Sequence, residues 1–423
     1  MSASKVEAGP QPSGRGKAVL AIDWWPASLP GDVRITPHTL VAHDGDVSKA
    51  TLYERADACT VFCLMHPRQD LQRHPAIPGL LEAGFSVWAQ TSRVAGNDLT
   101  LVHETALLDV AAGMERLRAL GYEHVVLIGI SGGAGLYAFY TEQAQTAPAD
   151  RIERTPAGSP VPLADAPLPT PDALALVAPH PGQGRLLLSM IDASVTDERD
   201  PLSTNADLDP YDPANGFAEE NRGGSRFSDD FVSRYRAAQR ARVERIDAHA
   251  RDLIATRLAA RKRFKSGDGT EADRRGSVMT PIITTYRTDA DPRCTDLRLD
   301  PSERPYGSVI SRKPSMSNFG VNGFGRLTTP ESWLSTWSGV SSNASLERSL
   351  AGVTVPALVV EYTGDCSVFP TDVAQALRAL ASDDVRHVRV RADHFGRPLE
   401  PGEGSGTGAT VAQLADWTRE WLS

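Results

Sequence analysis

Residues 124–135 read HVVLIGISGGAG: an apolar run, then a serine fenced by glycines. The run VVLIGI is too short to be anything but a buried strand, and GGAGLYAFYTEQA after it reads as a helix. Ser131 therefore falls at a sharp strand-to-helix turn, within the spacing Gly129-x-Ser131-x-Gly133. In a chain with 35 glycines that spacing is weak evidence alone, so the strand before it and the helix after it are what give it meaning. Side chains at the flanking positions would clash where strand and helix press together, and Gly129, Gly133 and Gly135 give the room. The helix N-terminus offers its dipole and the Gly132 N–H to a negative charge beside Ser131.

Outward from this turn the chain alternates. VRITPHTLVAHDG, VSKATLYER, CTVFCLMHP (59–67) and SVWAQTSR (86–93) read as strands, and PAIPGLLEAGF reads as a helix closed by Gly84. In ETALLDVAAGMERLRALG (104–121), Leu107, Val110, Ala111, Met114, Leu117 and Leu120 fall close to one face at helical spacing. Glu104 favours the N-terminal dipole of that helix and Gly121 suits its end. A Pro-rich loop (154–172) leads to the strand ALALVAPH (173–180). The alternation implies a parallel sheet with helices on both faces. It breaks over residues 183–349, which hold an acidic Pro/Asn-rich stretch, a long helical segment from about Asp229 to Lys265, and an irregular portion with Trp333 and Trp337. It resumes with VPALVVEYTGDCSVFP (355–370), a helix, VRHVRVRADHFG (385–396) and a last helix near 411–422. The organisation expected is a tail (1–18), an α/β core in two pieces (19–182 and 350–423), and an insertion (183–349) between them.

A serine hydroxyl is a weak nucleophile until a base takes its proton, and the base needs an orienting acid. After a nucleophile turn of this kind the partners come in the order acid, then histidine, at the ends of later strands. Asp365 follows PALVVEY in the loop TGDCSVFP, and His394 follows VRHVRVRA in the loop DHFG. Glu361 is the alternative acid, but it lies inside the strand, a poorer place to reach a loop histidine. Of ten histidines, His394 alone sits between the last strand and the last helix.

With these residues in place, the chain resembles the α/β-hydrolase superfamily over about residues 33–182 and 352–422, with a looser likeness to capped bacterial members with a GxSGG turn. The resemblance implies an α/β class fold: an eight-stranded, mostly parallel sheet flanked by helices, with a large, mainly helical cap insertion. It also implies a Ser131–His394–Asp365 catalytic triad and an oxyanion hole with one donor at the Gly132 N–H. The second donor belongs in the loop MHPRQD (65–70). Many members carry His-Gly there; this chain has His66-Pro67, and proline has no N–H. The second donor expected is therefore the Arg68 amide, or that of His66. The Arg68 side chain offers a site for an anionic substrate group.

His66, His180, Trp333 and Trp337 are further candidates for lining the substrate pocket, with Phe319 and Phe324 as additional aromatic wall. Core packing explains the aromatics equally well, and a polar strand end explains His180. Asn97 and Glu104 flank the expected rim, where helix capping accounts for Glu104. GEGSGTG (402–408) lacks the Lys-Ser or Lys-Thr of a phosphate loop and reads as a flexible loop. Residues 226–275 carry 14 Arg and Lys against 8 Asp and Glu. A solvated helix face with i,i+4 pairs accounts for this excess, with attraction of an anionic substrate as the sharper reading.

Composition narrows the rest. At 41% apolar and 23% charged residues, the 423-residue chain has material for a large core. A net charge of −9 argues against nucleic acid as partner. Cys59, Cys63, Cys294 and Cys366 lack disulfide-framework or metal-ligand spacing and read as reduced, buried thiols; Cys366, beside an acid, is a poor nucleophile. No metal or cofactor is expected. MSASKVEAGPQPSGRGK reads as a polar tail, not a signal peptide, and no run is apolar enough to span a bilayer, so a cytoplasmic location is expected. Heavy use of Ala, Arg, Gly, Pro and Asp points to a GC-rich bacterial source. The oligomeric state stays open, a homodimer included. The function expected is a serine hydrolase acting on a carboxylic ester of a small or medium-sized organic molecule. Thioester, amide or carbon–carbon bond hydrolysis and acyl transfer use the same machinery. From another class comes a non-catalytic binding protein on this fold, which needs a broken triad.

Overall fold

Continuous apolar runs become central strands only where both faces of the sheet are covered. In the computed structural model, which describes residues 29–423, eight strands meet that condition to differing degrees. They are β1 (Arg34–Val41), β2 (Val47–Glu54), β3 (Thr60–His66), β4 (Ser86–Thr91), β5 (His124–Ile130), β6 (Ala173–Val177), β7 (Ala357–Tyr362) and β8 (Val385–Val390). Every residue of β3, β4, β6 and β7 is buried, whereas the edge strands β1 and β8 keep an exposed side. The expected tail, 1–18, lies outside the described residues.

The order across the sheet is β1-β2-β4-β3-β5-β6-β7-β8. β1 with β2 and β2 with β4 are antiparallel; every later pair is parallel. With helices on both faces and a helical insertion between β6 and β7, this is the α/β-hydrolase fold that the resemblance implies.

The pleat sorts β5 between two cores. Val125 and Leu127 face α2 (His103–Ala119), α3 (Gly132–Gln145) and α6 (Pro370–Ala379), through Leu107, Val110, Leu136, Phe139 and Val373. Val126 and Ile128 face α1 (Ala76–Glu82) and α7 (Gly406–Leu422), through Leu80, Leu81, Leu414 and Trp417. The loop reading of 402–408 is only partly right: Ser405 caps α7 by accepting from Gly408 N–H, and the helix begins at Gly406.

The insertion holds its own core. Leu186, Leu187 and Met190 of α4 (Gln183–Met190) pack with Val243, Ile246 and Ile254 of α5 (Asp229–Ser266) and with Trp333, Leu334 and Trp337. α5 starts where the Ser228 hydroxyl accepts from Phe231 N–H and ends at Gly267, in the left-handed region. Its basic residues follow the solvated-face reading: Arg234 pairs with Asp230 and Arg240 with Glu244, one turn apart. Arg242 departs from it, being buried and forked onto Glu198. Among the described residues no helix is long and apolar enough to cross a membrane.

Candidate active site

The turn between β5 and α3 stores backbone strain at one residue. Ser131 has φ 52° and ψ −119°, a conformation costly for a residue with a Cβ. The neighbouring glycines let strand and helix close around it. A Cβ on Gly129 would lie 2.5 Å from Ala134 Cα, and one on Gly133 would lie 2.6 Å from the Met65 carbonyl oxygen. The hydroxyl is thereby held out at the carboxyl end of the sheet, with α3 starting directly beneath it.

Ser131 Oγ lies 2.9 Å from His394 Nε2, and His394 Nδ1 lies 2.7 Å from Asp365 Oδ2. The other carboxylate oxygen, Asp365 Oδ1, accepts from the Ser367 and Val368 N–H groups at 2.7 and 2.9 Å. A carboxylate engaged in this way is an acceptor, so Nδ1 of His394 carries the proton and Nε2 is left to accept from the serine. Burial pulls the imidazole pKa down, but the adjacent Asp365 carboxylate outweighs it, and His394 sits above the ordinary histidine value. Glu361, the alternative acid, points elsewhere: it takes His387 and Arg389 of β8.

Ser131, His394, His66, Arg68, His180 and Gln183 line one cavity of about 70 Å³, together with Leu186, Val309 and Phe324 from the insertion. Pro75, Phe395 and Thr407 line both this cavity and a wider outer depression of about 660 Å³ between α1 and α7.

The expectation for the Arg68 amide needs correction. That N–H donates to His66 Nδ1 at 3.0 Å, as does the Gln69 N–H, so the loop after β3 turns its amides onto its own histidine. The Arg68 guanidinium is likewise taken. It forks onto Asp98 with two 2.6 Å bonds and lies beneath Trp337 and beside Phe324.

Of the aromatic candidates, Phe324 lines the cavity. Trp333 does not: it is fully buried in the insertion core, its indole N–H donating to Asp247 at 2.7 Å. Trp337 is also fully buried and does not line the cavity; it packs behind it, over the Arg68 guanidinium. Phe319 is half exposed and stacks on Arg287, a different part of the insertion. Both tryptophans belong to a π-helical turn, Trp333–Trp337, whose Thr336 and Ser335 hydroxyls reach Leu101 and Glu104 at the start of α2. Glu104 is therefore more than an exposed dipole partner. It is fully buried and also accepts from Asn343 at 2.9 Å, and burial raises its pKa. Asn97 caps the short turn Asp98–Thr100.

Two cysteine readings change as well. Cys59 precedes β3 and is exposed, and Cys366 is partly buried. Burial and the neighbouring Asp365 push the Cys366 thiol up to about 12, in keeping with its dismissal as a nucleophile. Gln183 was missed. Its signal was present in APHPGQG, three residues past His180, but a lone glutamine at a helix start says nothing until its neighbours are known.

No protein-family model matches the chain, and no curated protein matches it. Among solved structures, it is similar to DcsB in complex with its substrate analogue at 12% identity, with 92% of this chain and 99% of that one covered and a TM-score of 0.47. It is similar to Est1E from Butyrivibrio proteoclasticus at 10% identity, with 91% and 98% covered and a TM-score of 0.46. The Pyrococcus furiosus esterase Pf2001 gives 11% identity, 94% and 99% coverage and a TM-score of 0.44. Likenesses this distant add no argument to the strand order described above.

Proposed function

We propose that this α/β-hydrolase-fold chain is a serine hydrolase that cleaves a carboxylic ester through an acyl-enzyme on Ser131. The observation that carries the reading is the unbroken chain of hydrogen bonds from Ser131 Oγ through His394 to Asp365, at 2.9 and 2.7 Å, starting from a strained serine.

In this reading Ser131 Oγ attacks the carbonyl carbon while its proton passes to His394 Nε2. The carbonyl oxygen becomes an oxyanion, met by the Gly132 N–H at the start of α3. Collapse breaks the bond to the leaving alcohol, which takes the proton from His394. A water molecule then gives its proton to His394 and attacks the acyl-serine, releasing the acid and restoring Ser131. Asp365 keeps the imidazole oriented and stabilises its charged form. The inner cavity, about 70 Å³, has room for a few water-sized groups and suits a short acyl chain. The outer depression suits the alcohol portion.

A fluorophosphonate probe tests the reading: it labels the wild-type protein, and Ser131→Ala abolishes labelling. Absence of labelling in the wild type, or undiminished labelling of Ser131→Ala, overturns it. Aryl esters of graded acyl length then separate short from long acyl preference, with acetyl and propionyl expected above octanoyl. Thioester and amide analogues of the same acyl group settle the bond type.

A further inference from the structure

An oxyanion beside Ser131 needs more than the Gly132 N–H, and the first three residues of the loop after β3, Pro67 to Gln69, offer no free backbone donor. Pro67 has none, and the Arg68 and Gln69 N–H groups are both spent on His66 Nδ1. Those two bonds have a second consequence. An Nδ1 that accepts hydrogen bonds carries no proton, so the proton of His66 is on Nε2. His180 Nδ1 accepts from the Gly182 N–H at 3.1 Å, an N–H that it shares with the His180 carbonyl oxygen at 2.8 Å. Each ring therefore offers an Nε2–H donor.

Both donors converge on one space over Gly132. A Cβ placed there would lie 2.6 Å from His66 Nε2 and 2.8 Å from His180 Nε2, and would also meet Gln183 Nε2. Gly132 has no positive φ, so the turn does not itself ask for glycine; the missing side chain is what leaves the space open. Gln183 is 1% exposed, and neither its Oε1 nor its Nε2 has a hydrogen-bond partner among the described residues. A buried amide without partners is destabilising and rare, and this one stands on the wall of the cavity that holds Ser131 and His394.

We propose that His66 Nε2–H, His180 Nε2–H and the Gln183 amide form a side-chain donor cradle that, with the Gly132 N–H, binds the oxyanion formed when Ser131 attacks. The inference rests on the serine-hydrolase reading. Burial, reinforced by neighbouring positive charge, keeps both rings neutral, with His66 well below the ordinary histidine value and His180 at about 3. A neutral imidazole donor stabilises negative charge without giving up its proton.

Gln183→Leu tests the cradle, because it removes donors while relieving a buried, unpartnered amide. The expected result is a melting temperature no lower than that of the wild type, kcat lower by about 10²-fold, and KM within about twofold. A trifluoromethyl ketone, which forms an oxyanion-like adduct on the serine, loses affinity in parallel. His180→Asn, which keeps an acceptor near the Gly182 N–H but is shorter than imidazole, gives the same kcat-selective loss and serves if Gln183→Leu does not fold. An unchanged kcat or a loss confined to KM overturns the cradle. These outcomes are distinct from a failure of the parent reading, in which the wild type itself is not labelled by fluorophosphonate; the cradle would then fall with it.

Discussion

Ser131→Gly and Ser131→Ala both remove the hydroxyl and its 2.9 Å contact with His394, yet they act oppositely on the backbone. At φ 52° and ψ −119° a Cβ is strained, and conformations of this kind cost about 1–3 kcal/mol. Alanine keeps that strain, because the Cβ stays. Glycine relieves it, at the cost of about 0.4–1 kcal/mol of additional unfolded-state entropy. The lost hydrogen bond is common to both variants and cancels in the comparison. The expected difference is therefore about 1 kcal/mol in favour of Ser131→Gly. Urea unfolding of the two variants side by side reads it as a higher midpoint for glycine at equal slope. Fluorophosphonate labelling serves as a control and is absent in both. A glycine variant equal to or less stable than the alanine variant would refute the claim that this serine is held under strain by its surroundings.

The acid limb of kcat/KM is expected above pH 6.5, because the base must be neutral and Asp365 holds the His394 pKa above its ordinary value. In Asp365→Asn the burial of the ring is no longer opposed, so the limb moves to lower pH while kcat drops by about 10⁴; a limb that stays in place refutes the assignment of Asp365 as the cause. Stability is expected to fall as pH drops below about 6.5, since His103 and His180 are buried with pKa values lowered to about 4 and about 3 and protonate first in the unfolded chain. Each contributes a slope of about 1.4 kcal/mol per pH unit in that window, and His394, with its raised pKa, works the other way only above about pH 6.5. Urea midpoints that do not change between pH 7 and pH 5 contradict this. Gly133→Ala is expected to cost about 1–3 kcal/mol, because the new methyl group would lie 2.6 Å from a backbone oxygen of β3, and to lower kcat by displacing Ser131; a variant with wild-type stability and rate refutes the close approach.

The sheet was legible because its central strands are written as uninterrupted apolar runs and its helices as one-sided stripes. Strand-to-helix alternation then leaves little choice of topology. Ser131, Asp365 and His394 were legible for a similar reason: each lies within four residues of the end of a recognisable strand, so local sequence places it at the same end of the sheet. The aromatic residues of the insertion were not. Trp333 and Phe324 stand nine positions apart in irregular chain, and nothing periodic says that one is turned into the core while the other reaches the cavity. Glu104 was misread because helix position predicts a dipole partner, while its true setting, the Ser335 and Asn343 side chains, lies more than 230 residues away in sequence.

The sequence by itself determined the α/β architecture, the interruption after β6 and the order nucleophile, acid, histidine, because each is encoded in hydrophobic period and in residues adjacent to a strand end. Tertiary structure alone decided which hydrogen-bond donors face the nucleophile. The Arg68 N–H was the natural expectation from a loop beginning His-Pro, yet the fold spends it on the His66 ring and thereby turns the Nε2–H of that ring toward Gly132. Where a polar group points depends on which partner reaches it first in three dimensions. His66 and His180 are held by amides of their own loops and Gln183 by none, and only the fold brings the three together over Gly132.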